Sequence, residues 1–138
     1  MKLLVKLLAK KLSSSAIEKW REDLASWAIP QEILDQAALP PWFHPPGLFA
    51  LPDKIWDSPS HQRAREALPA GGTLLDIGCG GGVAAFAAAP PAGKVIGVDH
   101  QLAMLEMFAD SAKDRGLECE VIEGFWPGVA EQTPVADV

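Results

Sequence analysis

From Thr73 to Gly82 the chain reads Thr-Leu-Leu-Asp-Ile-Gly-Cys-Gly-Gly-Gly, and no other stretch limits the fold so strongly. A short apolar run ends in a carboxylate, Asp76, and passes straight into a glycine-rich turn. Lys94 to Asp99, Lys-Val-Ile-Gly-Val-Asp, repeats the form of apolar strand and then acid. The segment between them predicts an alanine-rich helix over 82–89, stopped by Pro90-Pro91. A helix over 101–114 follows, ended by Gly116, and then a third strand over 118–122. Val135 to Val138 read as the start of a fourth strand, so the chain is expected to be an incomplete domain. This alternation predicts an α/β fold whose strands pair in parallel through right-handed crossovers.

Residues 1–68 read as a helical N-terminal region, and 69–138 as a partial cofactor-binding α/β domain. Ser15 to Glu18 fits a capping box, and Ile17, Trp20, Leu24 and Trp27 recur at helical spacing. Trp20 and Trp27 are expected to pack in a core or under a lid. Pro30 ends that helix and opens another over 31–38. Pro40 to Pro46, Pro-Pro-Trp-Phe-His-Pro-Pro, predicts a stiff loop. His44 in that loop is read first as a packing residue and second as a contact to substrate. Ser58-Pro59 starts a helix over 60–68, and Pro69 to Gly72 is the boundary turn.

The lysine-punctuated Met1 to Leu12 has apolar runs too short for a signal peptide or a membrane span. Residues 13–138 hold eight basic side chains against eighteen acidic ones. That balance repels phosphate backbones and argues against nucleic acid as a partner. Cys79 and Cys119 lack CxxC spacing and read as reduced thiols in a cytoplasmic protein. The three histidines are scattered, with no metal-ligand spacing.

Ligands in open α/β sheets bind beyond the carboxyl ends of the strands, where strand order reverses. Gly78, Gly80 and Gly82 sit at such a place, and Asp99 lies 21 residues after Gly78. That is the spacing at which an acid accepts ribose hydroxyls, by charge-assisted hydrogen bonds of about 1.5–3 kcal/mol. A dinucleotide fingerprint fails from Gly78, because Val83 stands at its sixth position. It is met late, from Gly80 through Gly82 to Ala85.

The better match is Asp76-x-Gly78-x-Gly80-x-Gly82. With it the sequence resembles the class I S-adenosylmethionine-dependent methyltransferases over about residues 73–138. The resemblance implies a Rossmann-like, doubly wound parallel sheet, here reaching about three strands, with S-adenosylmethionine as cofactor. It places Asp76, Gly78, Cys79, Gly80 and Gly82 in the turn beneath the methionine part of the cofactor. Asp99 takes the ribose, His100 and Met104 lie near the adenine, and Phe125 after Gly124 offers its backbone N–H to the ring. Many members of that family have an acid where this chain has Gly124-Phe125-Trp126. No general base is identified.

The acidic body and aromatic loop predict a small-molecule acceptor, no nucleic acid and no stable membrane insertion. Two other readings remain open here: an NAD-binding oxidoreductase domain, and a non-catalytic binding protein that retains the cofactor fold. The isolated chain is expected to be marginally stable and inactive.

Overall fold

The computed structural model describes residues 15–41 and 43–138. They fall into two compact units that divide between residues 42 and 43. The lysine-punctuated segment over 1–12 and Trp42 lie outside the described residues.

In the first unit a helix, α1, runs through 15–26, and α2 spans Gln31–Leu34. Ser15, expected as a cap, is already helical. Helix α2 is four residues shorter than its pattern predicts. It buries none of its side chains, and a short helix without tertiary packing is marginal. Trp20 and Trp27 are exposed, against the expectation of packing in a core or under a lid. They line an open groove with Asp23 and Leu24.

The second unit carries the sheet. Strands β1 (Thr73–Ile77), β2 (Lys94–Asp99) and β3 (Glu118–Glu123) lie in the order β1-β2-β3, all parallel. Helices α4 (Val83–Ala88) and α5 (Leu102–Asp114) are the crossovers, and α3 (Pro59–Ala67) precedes β1. This is the parallel α/β architecture that the sequence predicts. Residues 43–68 group by sequence with the N-terminal helices but belong to the unit that holds the sheet. The contacts show why: Leu68 lies in the core, and Arg65 Nη1 donates to the Ala87 carbonyl of α4 at 2.6 Å.

Each element follows from local chemistry. Ser58 caps α3, its hydroxyl accepting from the His61 N–H, and Pro59 takes the first turn. Helix α5 buries Met104, Leu105, Phe108 and Ala112, one stripe at helical spacing. It ends on Gly116 at φ +67°, with Leu117 N–H donating to Ala112 and Gly116 N–H to Lys113, both at 3.0 Å. That paired pattern satisfies carbonyls a helix end otherwise leaves open.

In the register, Leu74 sits opposite Val95, and Val95 opposite Cys119. This row faces the helices and forms the core with Phe86, Leu105 and Phe108. The Phe86 and Phe108 rings meet at 5.0 Å, and the Arg115 guanidinium stands 4.8 Å over Phe86. Burying a side chain the size of Phe108 contributes about 1.5–3 kcal/mol.

The expected fourth strand is not formed as a strand, yet its last residues pair with β1. Asp137 N–H donates to Thr73 O at 2.9 Å, and Leu75 N–H to Val138 O at 2.8 Å. The Asp137 carboxylate also accepts from Thr73 N–H at 2.8 Å. Strand β1 therefore has hydrogen-bonded neighbours on both edges. Among the described residues, no helix is long and apolar enough to cross a membrane.

Candidate functional site

The glycine turn rises from the end of β1 and is tied at once to β2. The N–H groups of Gly78 and Cys79 both donate to Val98 O, at 2.8 and 3.0 Å. Gly78 has φ +73°, and a Cβ built there meets nothing within 4 Å. Backbone at this point therefore faces open space, where a ligand can approach it closely.

Asp99 ends β2 with its side chain only 10% exposed. Its carboxylate accepts from Gly80 N–H at 3.1 Å and from Gln101 N–H at 3.0 Å. A carboxylate offers about four acceptor positions, so two such bonds leave capacity for further donors. His100 Nδ1 lies 3.5 Å from the same carboxylate.

Two adjoining cavities open here and share Gly78, Asp99 and His100. The larger, about 250 Å³, is closed by His44, Phe49, Gln101 and Met104. The smaller, about 150 Å³, is closed by Gly124, Phe125 and Trp126, with Ile77 and Val98 beneath. The His100 and Phe125 rings stack with centroids 4.5 Å apart. A flat group can therefore lie against this pair, but not between its rings. Gly124 N–H donates to Asp99 O at 2.9 Å, which holds the loop after β3 against the end of β2.

The structure thus brings together Gly78, Gly80, Asp99, His100, Met104, Gly124 and Phe125 around the two cavities. The other residues singled out by sequence stand elsewhere. Asp76 lines neither cavity. It faces α4, where its carboxylate accepts the Ala85 N–H at 3.2 Å and so serves a helix start that has no side-chain cap of its own. Burial pushes its carboxyl above the usual range, the Ala85 hydrogen bond opposes that, and Asp99 nearby adds to it. Cys79 is buried in the core, and burial drives its thiol far upward, away from the reactive thiolate. Gly82 lies against the core, where a Cβ would overlap the Phe86 ring.

Phe49, Gln101 and Gly81 are absent from the sequence reading of the site, and His44 enters it only as a second choice. A Cβ at Gly81 would overlap the Phe49 carbonyl oxygen, the closest approach over the turn. Only the triple glycine at 80–82 hints at this in the sequence. The chemistry of the donor set suits a ligand with hydroxyls at Asp99, a flat ring beside His100 and Phe125, and a chain along the glycine backbone.

Residues 74–137 match a family model described as a methyltransferase domain. Among curated proteins, the chain is 32% identical to the ribosomal protein L11 methyltransferase of Thermus thermophilus, across 78% of this chain and 45% of that protein. The chain thus spans less than half the length of that relative. Among solved structures, it is similar to the C-terminal domain of precorrin-6Y C5,15-methyltransferase from Rhodobacter capsulatus. That match has 25% identity and a TM-score of 0.49, over 67% of this chain and 53% of that one. It is also similar to a putative rRNA-methylase from Clostridium thermocellum, at 21% identity and a TM-score of 0.48, over 54% and 45%.

These findings correct one expectation. A small-molecule acceptor, with nucleic acid excluded, does not stand beside a curated relative named for a ribosomal protein. The expectation came from the acidic body and the aromatic loop, and net charge governs long-range attraction and not the local surface an acceptor meets.

Proposed function

We propose that the chain belongs to the class I S-adenosylmethionine-dependent methyltransferases and that the paired cavities above β1–β3 receive S-adenosylmethionine. The observation that carries the reading is Asp99, an acid at the end of β2 that is nearly buried, bonded to the glycine turn and still able to accept. In this reading Asp99 accepts the ribose hydroxyls. Gly78 and Gly80 present backbone to the methionine part, and Gly82 shapes the turn. His100, Met104, Gly124 and Phe125 surround the adenine. Asp76 and Cys79 act through the turn, Asp76 by holding the start of α4 and Cys79 by its backbone bond to Val98.

When bound, the cofactor supplies an electrophilic methyl group on a sulfonium. The chain's own residues bind it, orient it and keep water from it, which is where catalysis of an in-line displacement resides. The proposed acceptor is a protein, on the strength of the relative named for ribosomal protein L11. The helices of the first unit are proposed to meet the acceptor, and residues 43–138 to be the cofactor part. A cytoplasmic location belongs to the same proposal, supported by two cysteines without a disulfide.

The test is calorimetric titration of S-adenosylhomocysteine into the chain, with NAD in parallel and Asp99→Ala as control. Binding selective over NAD and lost in the variant is expected. A chain that is folded by circular dichroism and takes NAD but not S-adenosylhomocysteine would refute the reading. Transfer of labelled methyl groups to ribosomal proteins rather than ribosomal RNA reads the acceptor class, and label in RNA alone would rule out a protein acceptor.

A further inference from the structure

Gln101 occupies the N-cap position of α5, yet its side chain does not cap the helix. Ser, Thr, Asp and Asn are the usual residues there, because a short side chain reaches the free N–H groups. The Gln101 carboxamide instead turns to a segment 57 positions earlier in the chain. Its Oε1 accepts from the His44 N–H at 2.9 Å, and its Nε2 donates to the His44 carbonyl at 3.1 Å. Both backbone polar groups of His44 are thus held by one side chain.

The next residues carry that anchor over the glycine turn. Pro45 and Pro46 have fixed φ, which stiffens the connection. The 3₁₀ turn Pro46–Phe49 then sets Phe49 on the turn: a Cβ at Gly80 would lie 3.3 Å from its ring, and one at Gly81 would overlap its carbonyl oxygen. The His44 and Phe49 rings meet at 5.6 Å. Both line the larger cavity opposite Gly78 and Asp99. The family match begins only at residue 74, so this side of the cavity is built from outside the matched region.

We propose that residues 43–50 form a fixed wall of the cofactor cavity, and that Gln101 is the positioning residue holding it in place. The proposal rests on reading the cavity as an S-adenosylmethionine site. His44 and Phe49 touch the bound molecule, and Gln101 acts through them. Its contribution is to population: a wall anchored less of the time lowers apparent affinity by the same fraction.

The test uses the full chain and S-adenosylhomocysteine. Gln101→Leu keeps the size of the side chain and loses both hydrogen bonds. It is expected to weaken binding about three- to ten-fold, as two partly exposed neutral hydrogen bonds allow. The chain should stay folded, with the melting temperature lowered by several degrees at most, because the buried stripe of α5 is untouched. Exchange of the His44 amide hydrogen should quicken by a similar factor. Gln101→Glu keeps the acceptor for the His44 N–H and should fall between the two. Gly81→Ala pushes Phe49 away from the other side, with Gln101 intact, and should weaken binding as well.

Wild-type affinity in both Gln101→Leu and Gly81→Ala, with binding still lost in Asp99→Ala, would overturn the wall and leave the cofactor site standing. Failure of the wild-type chain to bind would instead remove the cofactor reading. Unchanged exchange at His44 in Gln101→Leu would then overturn the anchor on its own.

Discussion

Replacing Gly97 with alanine places a methyl group at the centre of β2, on the face that packs against α5. A Cβ there would stand 2.9 Å from two ring carbons of Phe108 and 3.0 Å from the Cys79 sulfur. Phe108 is fully buried and Cys79 nearly so, so neither has open space to retreat into. Overpacking of this kind costs about 1–3 kcal/mol. Against it stands the gain from replacing a strand glycine, about 0.5–1 kcal/mol. The net expectation is destabilisation centred on about 1 kcal/mol and no more than about 2.5 kcal/mol, a fall in melting temperature of several degrees for a unit of this size. Urea unfolding followed at 222 nm should show a lower midpoint with an unchanged slope. Gly47→Ala is the control, since a Cβ there meets nothing within 4 Å, and it should be close to neutral. In a Phe108→Leu background the alanine should cost measurably less, because the ring that it meets is gone. A Gly97→Ala chain as stable as wild type would refute the packing argument.

The Asp76 carboxyl gives a prediction in pH. Its folded pKa is raised above the unfolded value of 3.8 by burial, so the native state holds its proton more readily. The group's stabilisation is full below that value and is lost as pH rises through the raised one. Asp76→Asn keeps an oxygen for the Ala85 N–H and carries no charge. It should therefore be at least as stable as wild type at pH 7 and lack this decline, as urea midpoints at pH 3.5, 5 and 7 would show; a less stable variant at pH 7 would contradict the assignment. In thiol labelling at pH 8, Cys79 should stay unmodified until the chain unfolds, while the less buried Cys119 reacts first. Rapid native labelling of Cys79 would place that residue outside the core.

The sheet was legible because its signals are local. Strands 73–77 and 94–99 and the helix through Ala112 are fixed by apolar spacing and punctuated by glycine and proline, and the structure keeps those limits within a residue. Parallel pairing followed from the alternation alone. Two parts of the site lay beyond such signals. Asp76 and Asp99 look alike in sequence, since each ends an apolar run, but their roles part according to what each carboxylate meets. Asp76 meets the first turn of α4, and Asp99 meets the glycine turn beside the cavities. The anchor between Gln101 and His44 joins segments with no shared period, and a glutamine beside an acid reads as ordinary surface. Phe49, in an irregular proline-rich stretch, carried no pattern to separate it from packing.

The bond from Gly80 N–H to the Asp99 carboxylate makes one side chain a strut of the turn as well as a candidate ligand contact. Recognition and architecture are therefore thermodynamically linked at this point. A molecule that draws on the remaining lone pairs of Asp99 binds a group already committed to holding Gly80, so occupancy and rigidity of the turn rise together. Slower exchange of the Gly80 amide hydrogen is then a direct reporter of occupancy. An alanine at position 99 removes both at once, whereas a ligand lacking hydroxyls would test recognition with the strut still in place.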